Sequence, residues 1–192
     1  DFENVDYSGQ TARLSMLAEM TTYMKTAHVS GASALDAQKL KDMYANNNNP
    51  FDDADLNSAD KQLKNKTYPG MDDDFEKFMD SIAAASQYTN QTAAKGQAGI
   101  GTANDGNNYL YNANGFEITQ LIEKGLGGAC FYYQGTAVYM GDGKMNVDNE
   151  EVTEGKGTAM EHHWDEAFGY FGVPTDFPNN TSSLGLWGKY CN

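Results

Sequence analysis

Apolar residues recur at intervals of three and four in five separate stretches of this chain, and nowhere do they alternate for long enough to build a sheet of more than two strands. Such an interval places its members on one helix face, so the pattern predicts helices that bury their stripes against one another. The first stretch follows Ser8 and Gly9, a start suited to an N-cap, and carries Leu14, Leu17, Ala18 and Met24 on one side. In the second, Ser33 followed by Asp36 reads as a capping box. Leu40, Met43 and Tyr44 supply its stripe, and the run from Asn46 to Pro50 ends it. The third opens on Asp72, Asp73 and Asp74, where the helix dipole favours negative charge, and continues with Phe75, Phe78, Met79, Ile82 and Ala83.

From Ala93 to Asn114 the chain is rich in Gly, Asn and Ala, which predicts a long surface loop. A fourth helix is expected to start at Asn114 and to bury Ile118, Leu121, Ile122, Leu126 and Ala129. Gly125, Gly127 and Gly128 would weaken an isolated helix, so they point to close approach of a neighbouring backbone. Cys130 to Met140 fits either a continued helix or a strand, and Gly141-Asp142-Gly143 then reads as a turn. The expected fold class is all-α, a helical bundle with long Gly/Asn-rich loops, and residues 1–192 are expected to form one helical domain, or at most two small lobes.

The charge narrows the partners. Twenty-seven acidic against 13 basic residues leave a formal charge of -14, which repels phosphate backbones and anionic lipid headgroups, so no nucleic-acid partner is expected. No apolar run approaches the ~20 residues of a membrane-spanning helix. The chain opens at Asp1 without an initiator Met, signal peptide or lipobox and ends just after an apolar segment, so a trimmed product is expected, the N-terminal portion of a longer domain. Cys130 and Cys191 have no CxxC partner and so make no thiol zinc knuckle; a disulfide between them and two free thiols both fit the spacing.

The fifth helix, Thr158 to Val173, holds two of the three histidines. Thr158 and Glu161 form a capping box, and Pro174 stops the helix. Helical projection gathers Met160, Trp164, Ala167, Phe168 and Phe171 as a core face and sends Glu161 and Asp165 to solvent. His162, His163, Glu166 and Tyr170 fall on an arc at the border of the buried face. Both His163 and His162 stand one turn from Glu166, so imidazole and carboxylate meet here by local geometry alone. Such donors suit iron or zinc, and the same pairing also makes a plain hydrogen-bonded couple at a core edge. The HExxH spacing of zinc peptidases is absent, and His28 would have to arrive from another helix.

Other acidic groups are weaker candidates. Asp52, Asp53, Asp55 and Asn57 alternate as in calcium loops, but Lys64 stands where a bidentate Glu is required and the glycine is missing. Asp142, Asn146, Asp148 and Glu150 read as a solvated turn. The chain has no Gly-rich phosphate loop after a strand and no Gly-x-Ser-x-Gly elbow, which removes nucleotide and serine-hydrolase chemistry.

The opening FENVDYSGQTARLSMLAEMTTYMKTA and the later EGKGTAMEHHWDEAFGYFGVP resemble the two hallmark stretches of an uncharacterised family of bacterial lipoproteins, a domain of unknown function. That family is similar in context to imelysin-like, iron-regulated proteins, which carry a His-x-x-Glu motif; His163-Trp164-Asp165-Glu166 has its spacing. The imelysin pattern has Gly two positions before the His, whereas this chain has Glu161. The resemblance implies an imelysin-like helical arrangement and an exported lipoprotein in the periplasm or on the cell surface, tethered upstream of Asp1. It implies further that an outer-membrane receptor or neighbouring lipoprotein is the partner, and that His163, Glu166 and His162 serve as metal donors. The expected role is therefore a binding or accessory component of iron or metal acquisition. A metal-dependent peptidase using the same helix and a metal-free interaction module are the alternatives.

Overall fold

Helices account for most of the ordered elements, as the periodicity predicts, joined by one small antiparallel sheet. The computed structural model describes residues 4–192, so Phe2 and Glu3 of the stretch FENVDYSGQTARLSMLAEMTTYMKTA lie outside the described residues. Two compact units divide the chain: residues 16–126 form one, and residues 1–15 with 127–192 form the other. Helix α1 (Ser8–Lys25) contributes to both.

In the unit of residues 16–126, α1 buries Met16, Leu17, Met20, Thr21 and Met24. Ala18, expected on that stripe, is exposed, because the buried face is turned by one position from the predicted one. Helix α2 (Ala37–Ala45) is capped by Asp36, whose side chain accepts from the backbone N–H groups of Gln38 and Lys39, so the cap is Asp36 itself and not Ser33. Its predicted stripe of Leu40, Met43 and Tyr44 is buried. Asn46 ends it in the left-handed region at φ 50°, and its side-chain amide donates to Leu56 and Lys61 carbonyls at 3.0 and 2.8 Å. The calcium-like loop is used up locally. Asp53 caps the short α3 (Ala54–Ser58), and Asn57 pairs with the backbone of Phe51 in both directions.

Helix α4 (Asp72–Ser86) has the three predicted aspartates in its first turn and packs on α2 and on α5 (Ile118–Leu126). Phe75 sits beside Tyr44, ring centroids 6.2 Å apart, and against Gly125, where an added Cβ would lie 2.9 Å from the Phe75 ring. The close approach at Gly125 is therefore to an aromatic side chain and not, as expected, to a neighbouring backbone. Helix α5 starts at Ile118 rather than Asn114. Asn112 Oδ1 instead accepts from the N–H groups of Asn114 and Phe116, both at 3.0 Å, folding that stretch into a turn. Leu121 is exposed.

The Gly/Asn/Ala-rich stretch is not loop throughout. It forms a hairpin of β1 (Gly99–Thr102) and β2 (Asn108–Tyr111), pairing Gly99 with Tyr111 and Thr102 with Asn108. Each strand has only four residues, and Ile100 and Leu110 alone carry aliphatic weight, too little for an alternation signal. Next to β2, His28 Nε2 is 2.9 Å from Thr119 Oγ1, and its ring meets Tyr109 edge-on.

In the other unit, Gly127–Val138 is helical, which settles the ambiguous segment, and it takes the wide π form. Ala129, expected in the fourth helix, falls here and is half-buried. Of the remaining glycines, Gly127 lies against Leu186, while Gly128 faces open space. The π-helix packs along α7 (Ala159–Phe171), with Phe131 stacked on Tyr170 at 6.0 Å and Gly135 against the Tyr170 Cβ. Burying two such rings is worth roughly 2 kcal/mol each. The short α6 (Asp142–Met145) takes the place of the predicted turn, with Gly141 as its N-cap. Helix α8 (Leu186–Tyr190) is held by Trp187 Nε1, which donates to the Gly127 carbonyl at 3.0 Å. Cys130 is buried and Cys191 exposed, and no disulfide joins them.

Candidate functional site

Helix α7 begins as the sequence predicts. Glu161 N–H donates to Thr158 Oγ1 at 3.2 Å, and Thr158 N–H donates to Glu161 Oε2 at 2.8 Å. The helix stops at Gly172, in the left-handed region at φ 75°, two residues before Pro174. With its start fixed, the angular order of its side chains is fixed too, and the arc of His162, His163, Glu166 and Tyr170 points inward more than predicted.

The predicted core face is only partly buried. Ala167 is covered, but Trp164 is 50 % exposed and Phe168 and Phe171 are half-buried. Tyr170, assigned to the border, is among the most deeply buried side chains. Asp165 also departs from expectation. It accepts from the Asp6 N–H at 3.3 Å, and burial raises its carboxyl above the usual carboxylate range, against the opposing pull of that bond.

Around Glu166 the structure brings together all three predicted site residues. Its Oε2 lies 3.3 Å from His163 Nδ1 and 3.9 Å from His162 Nε2, with all three side chains largely covered. Two further residues, invisible to the sequence reading, complete the cluster. Gln10 Nε2 donates to Glu166 Oε1 at 3.2 Å, and the Tyr139 hydroxyl hydrogen-bonds the same carboxylate. Burial first, then the Glu166 charge and hydrogen bond, push the Tyr139 phenol up to about 12. Gln10 is anchored because its helix passes directly over α7: an added Cβ at Gly169 would lie 2.5 Å from the Tyr7 Cβ and 2.9 Å from the Gln10 Cβ. Tyr7 also meets Phe168 edge-on at 5.6 Å. No local signal could have revealed Gln10 or Tyr139, since neither stands at helical spacing from Glu166.

Two buried polar atoms in this neighbourhood, His162 Nδ1 and Tyr170 Oη, have no hydrogen-bond partner among the described residues. Burial raises the Tyr170 phenol strongly, with the nearby Arg13 guanidinium pulling the other way. Chemically the cluster is an ionisable carboxylate held between imidazoles, a phenol and an amide, able to accept a cation or a donor, or to exchange a proton with an imidazole. Among the described residues no three His, Cys, Asp or Glu side chains are arranged to hold a metal ion. As placed, His163, Glu166 and His162 form a polar network, and iron or zinc would have to displace the contacts just described. His28 takes no part, being paired with Thr119.

On the adjoining face of α7 lies an apolar cavity of about 440 Å³, bounded by α7, the π-helix and the C-terminal segment. Among the described residues no helix is long and apolar enough to cross a membrane.

No curated protein and no solved structure matches the chain. One family model, described as Domain of unknown function (DUF4856), matches residues 2–192. Residues 2–27, which include the α1 that supplies Gln10, and residues 154–174, which include the α7 that supplies Glu166, both lie within that match, and the chain belongs to the DUF4856 family.

Proposed function

We propose that this chain is a binding or accessory component of the bacterial cell envelope rather than a catalyst, with the Glu166 cluster as its working part and iron or another transition metal as the cargo it helps to acquire. The observation that carries this reading is the convergence of two imidazoles on one carboxylate oxygen, at 3.3 and 3.9 Å, beside a buried imidazole nitrogen left without a partner among the described residues. Imidazole and carboxylate are ordinary donors for iron and zinc. The acidic surface suits cations. The resemblance to lipoproteins found beside imelysin-like proteins supplies the setting: an exported, lipid-anchored protein with an imelysin-like helical arrangement, working next to an outer-membrane receptor or a neighbouring lipoprotein.

Metal analysis of protein purified without chelator tests this directly, with His163→Ala and Glu166→Gln alongside. Stoichiometric iron or zinc that both variants lose supports the reading. Wild-type protein that takes up no metal after incubation with Fe(II) or Zn(II) overturns it and leaves a metal-free interaction module, in which the cluster orders the core of its unit.

A further inference from the structure

Neither Glu166 nor His162, His163, Gln10 or Tyr139 lines the cavity beside α7, and its lining carries its own message. Seven aromatic residues line it, Tyr170 and the two tryptophans, Trp164 and Trp187, among them. Four of these come from α7, two from the π-helix and one from α8, so the site is built by long-range packing and not by one helix face. Its volume of about 440 Å³ falls within the ~300–1,000 Å³ of small-molecule sites. A protein helix is about 10 Å across and rises 5.4 Å per turn, so roughly one turn would already fill the space, too little for the anchors of a helical partner. None of the lining residues is Lys, Arg or His. Glu161 and Asp165 lie on the same helix, and the chain as a whole carries -14. An anionic amphiphile such as a fatty acid would find no counter-charge and would be repelled. A lining dominated by aromatic and other apolar surface favours flat rings that can stack.

We propose that this cavity is a binding site for a flat, uncharged aromatic or polycyclic small molecule. The molecule lies between the π-helix and α7 with Trp164 and Trp187 against its faces. Trp164 is half-exposed because it forms the wall of that site, which accounts for a large apolar side chain left in solvent.

The only two tryptophans of the chain both line the cavity, so their fluorescence reports on its occupancy. The experiment titrates the purified chain with N-phenyl-1-naphthylamine, a neutral probe of three aromatic rings, and with 8-anilinonaphthalene-1-sulfonate, its anionic counterpart, while sedimentation follows the oligomeric state. The expected result is saturable one-to-one quenching of tryptophan emission by the neutral probe, with the anionic probe at least tenfold weaker. Thr136→Tyr fills the cavity from an exposed position and should weaken the neutral probe at least tenfold. Met140→Lys, also at an exposed lining position, supplies a counter-charge and should bring the anionic probe to within a few-fold of the neutral one. Absence of saturable quenching by the neutral probe overturns the proposal, as does equal affinity for both probes or no response to Met140→Lys. A concentration-dependent dimer that Thr136→Tyr disperses would assign the face to a second copy of the chain and also overturn it.

Discussion

Oε2 of Glu166 lies 3.3 Å from His163 Nδ1, one turn away, while its Oε1 accepts from Gln10 Nε2 at 3.2 Å, 156 residues away in sequence. One carboxylate thus joins a contact that helical spacing dictates to another that only packing could deliver. The cluster should therefore respond both to its own chemistry and to the fit of α1 against α7.

Tyr139 gives the chemistry a pH signature. Its folded pKa, pushed up to about 12, exceeds the ~10 of an unfolded tyrosine. A raised folded value means that the stabilising contribution is complete below pH ~10 and is lost as pH climbs from there through about 12, by on the order of 2 kcal/mol at most. Urea midpoints between pH 8 and 11.5 should fall along this window, and Tyr139→Phe should fall less steeply. Glu166→Gln should lower the Tyr139 midpoint, read by NMR of ring-labelled tyrosine, yet leave it above 10, because burial, the larger cause, remains. An unchanged midpoint would break the Tyr139–Glu166 link.

Tyr170 supplies a contrast on the same helix. Its hydroxyl is buried without a partner among the described residues, a cost of about 1–3 kcal/mol for such a group. Tyr170→Phe keeps the ring stack on Phe131 and discards the orphan. Its melting temperature should equal or exceed that of the wild type. A clear drop would show that the hydroxyl has a partner and that the cluster extends further.

Packing of α1 on α7 is probed at Gly169. Alanine there places a Cβ 2.5 Å from the Tyr7 Cβ and 2.9 Å from the Gln10 Cβ, both at the stiff base of a side chain. Such overpacking costs ~1–3 kcal/mol. Gly169→Ala should lower the urea midpoint accordingly and shift the side-chain amide resonance of Gln10. Wild-type stability in this variant would contradict the close approach.

In the unit of residues 16–126, His28 is a pH-sensitive group. Burial, then the Lys25 charge, lower its pKa below 6.5, so its contribution is complete above pH ~6.5 and is lost as pH falls through the folded value. Thr119→Val removes the partner of the ring nitrogen and should cost about 1–3 kcal/mol at pH 7.5, measured by urea unfolding. His28 should titrate below the normal range in a histidine NMR experiment. A normal midpoint would mean that the imidazole is solvated.

The sequence by itself determined what neighbours along the chain can decide. Thr158 and Glu161 form a capping box because they are three residues apart, and His163 reaches Glu166 for the same reason. Asp72 to Asp74 start α4, and Leu40, Met43 and Tyr44 are buried, because dipole and periodicity act within single helices. Tertiary structure decided the rest. Gly99–Thr102 and Asn108–Tyr111 become strands only by pairing with each other, each too short to carry a pattern. Trp164 is half-exposed and Tyr170 covered because burial on an amphipathic helix depends on where its neighbours stop, a property of α1 and the π-helix and not of α7. Gln10 and Tyr139 reach Glu166 through contacts between distant segments, and these leave no periodic trace in a single sequence.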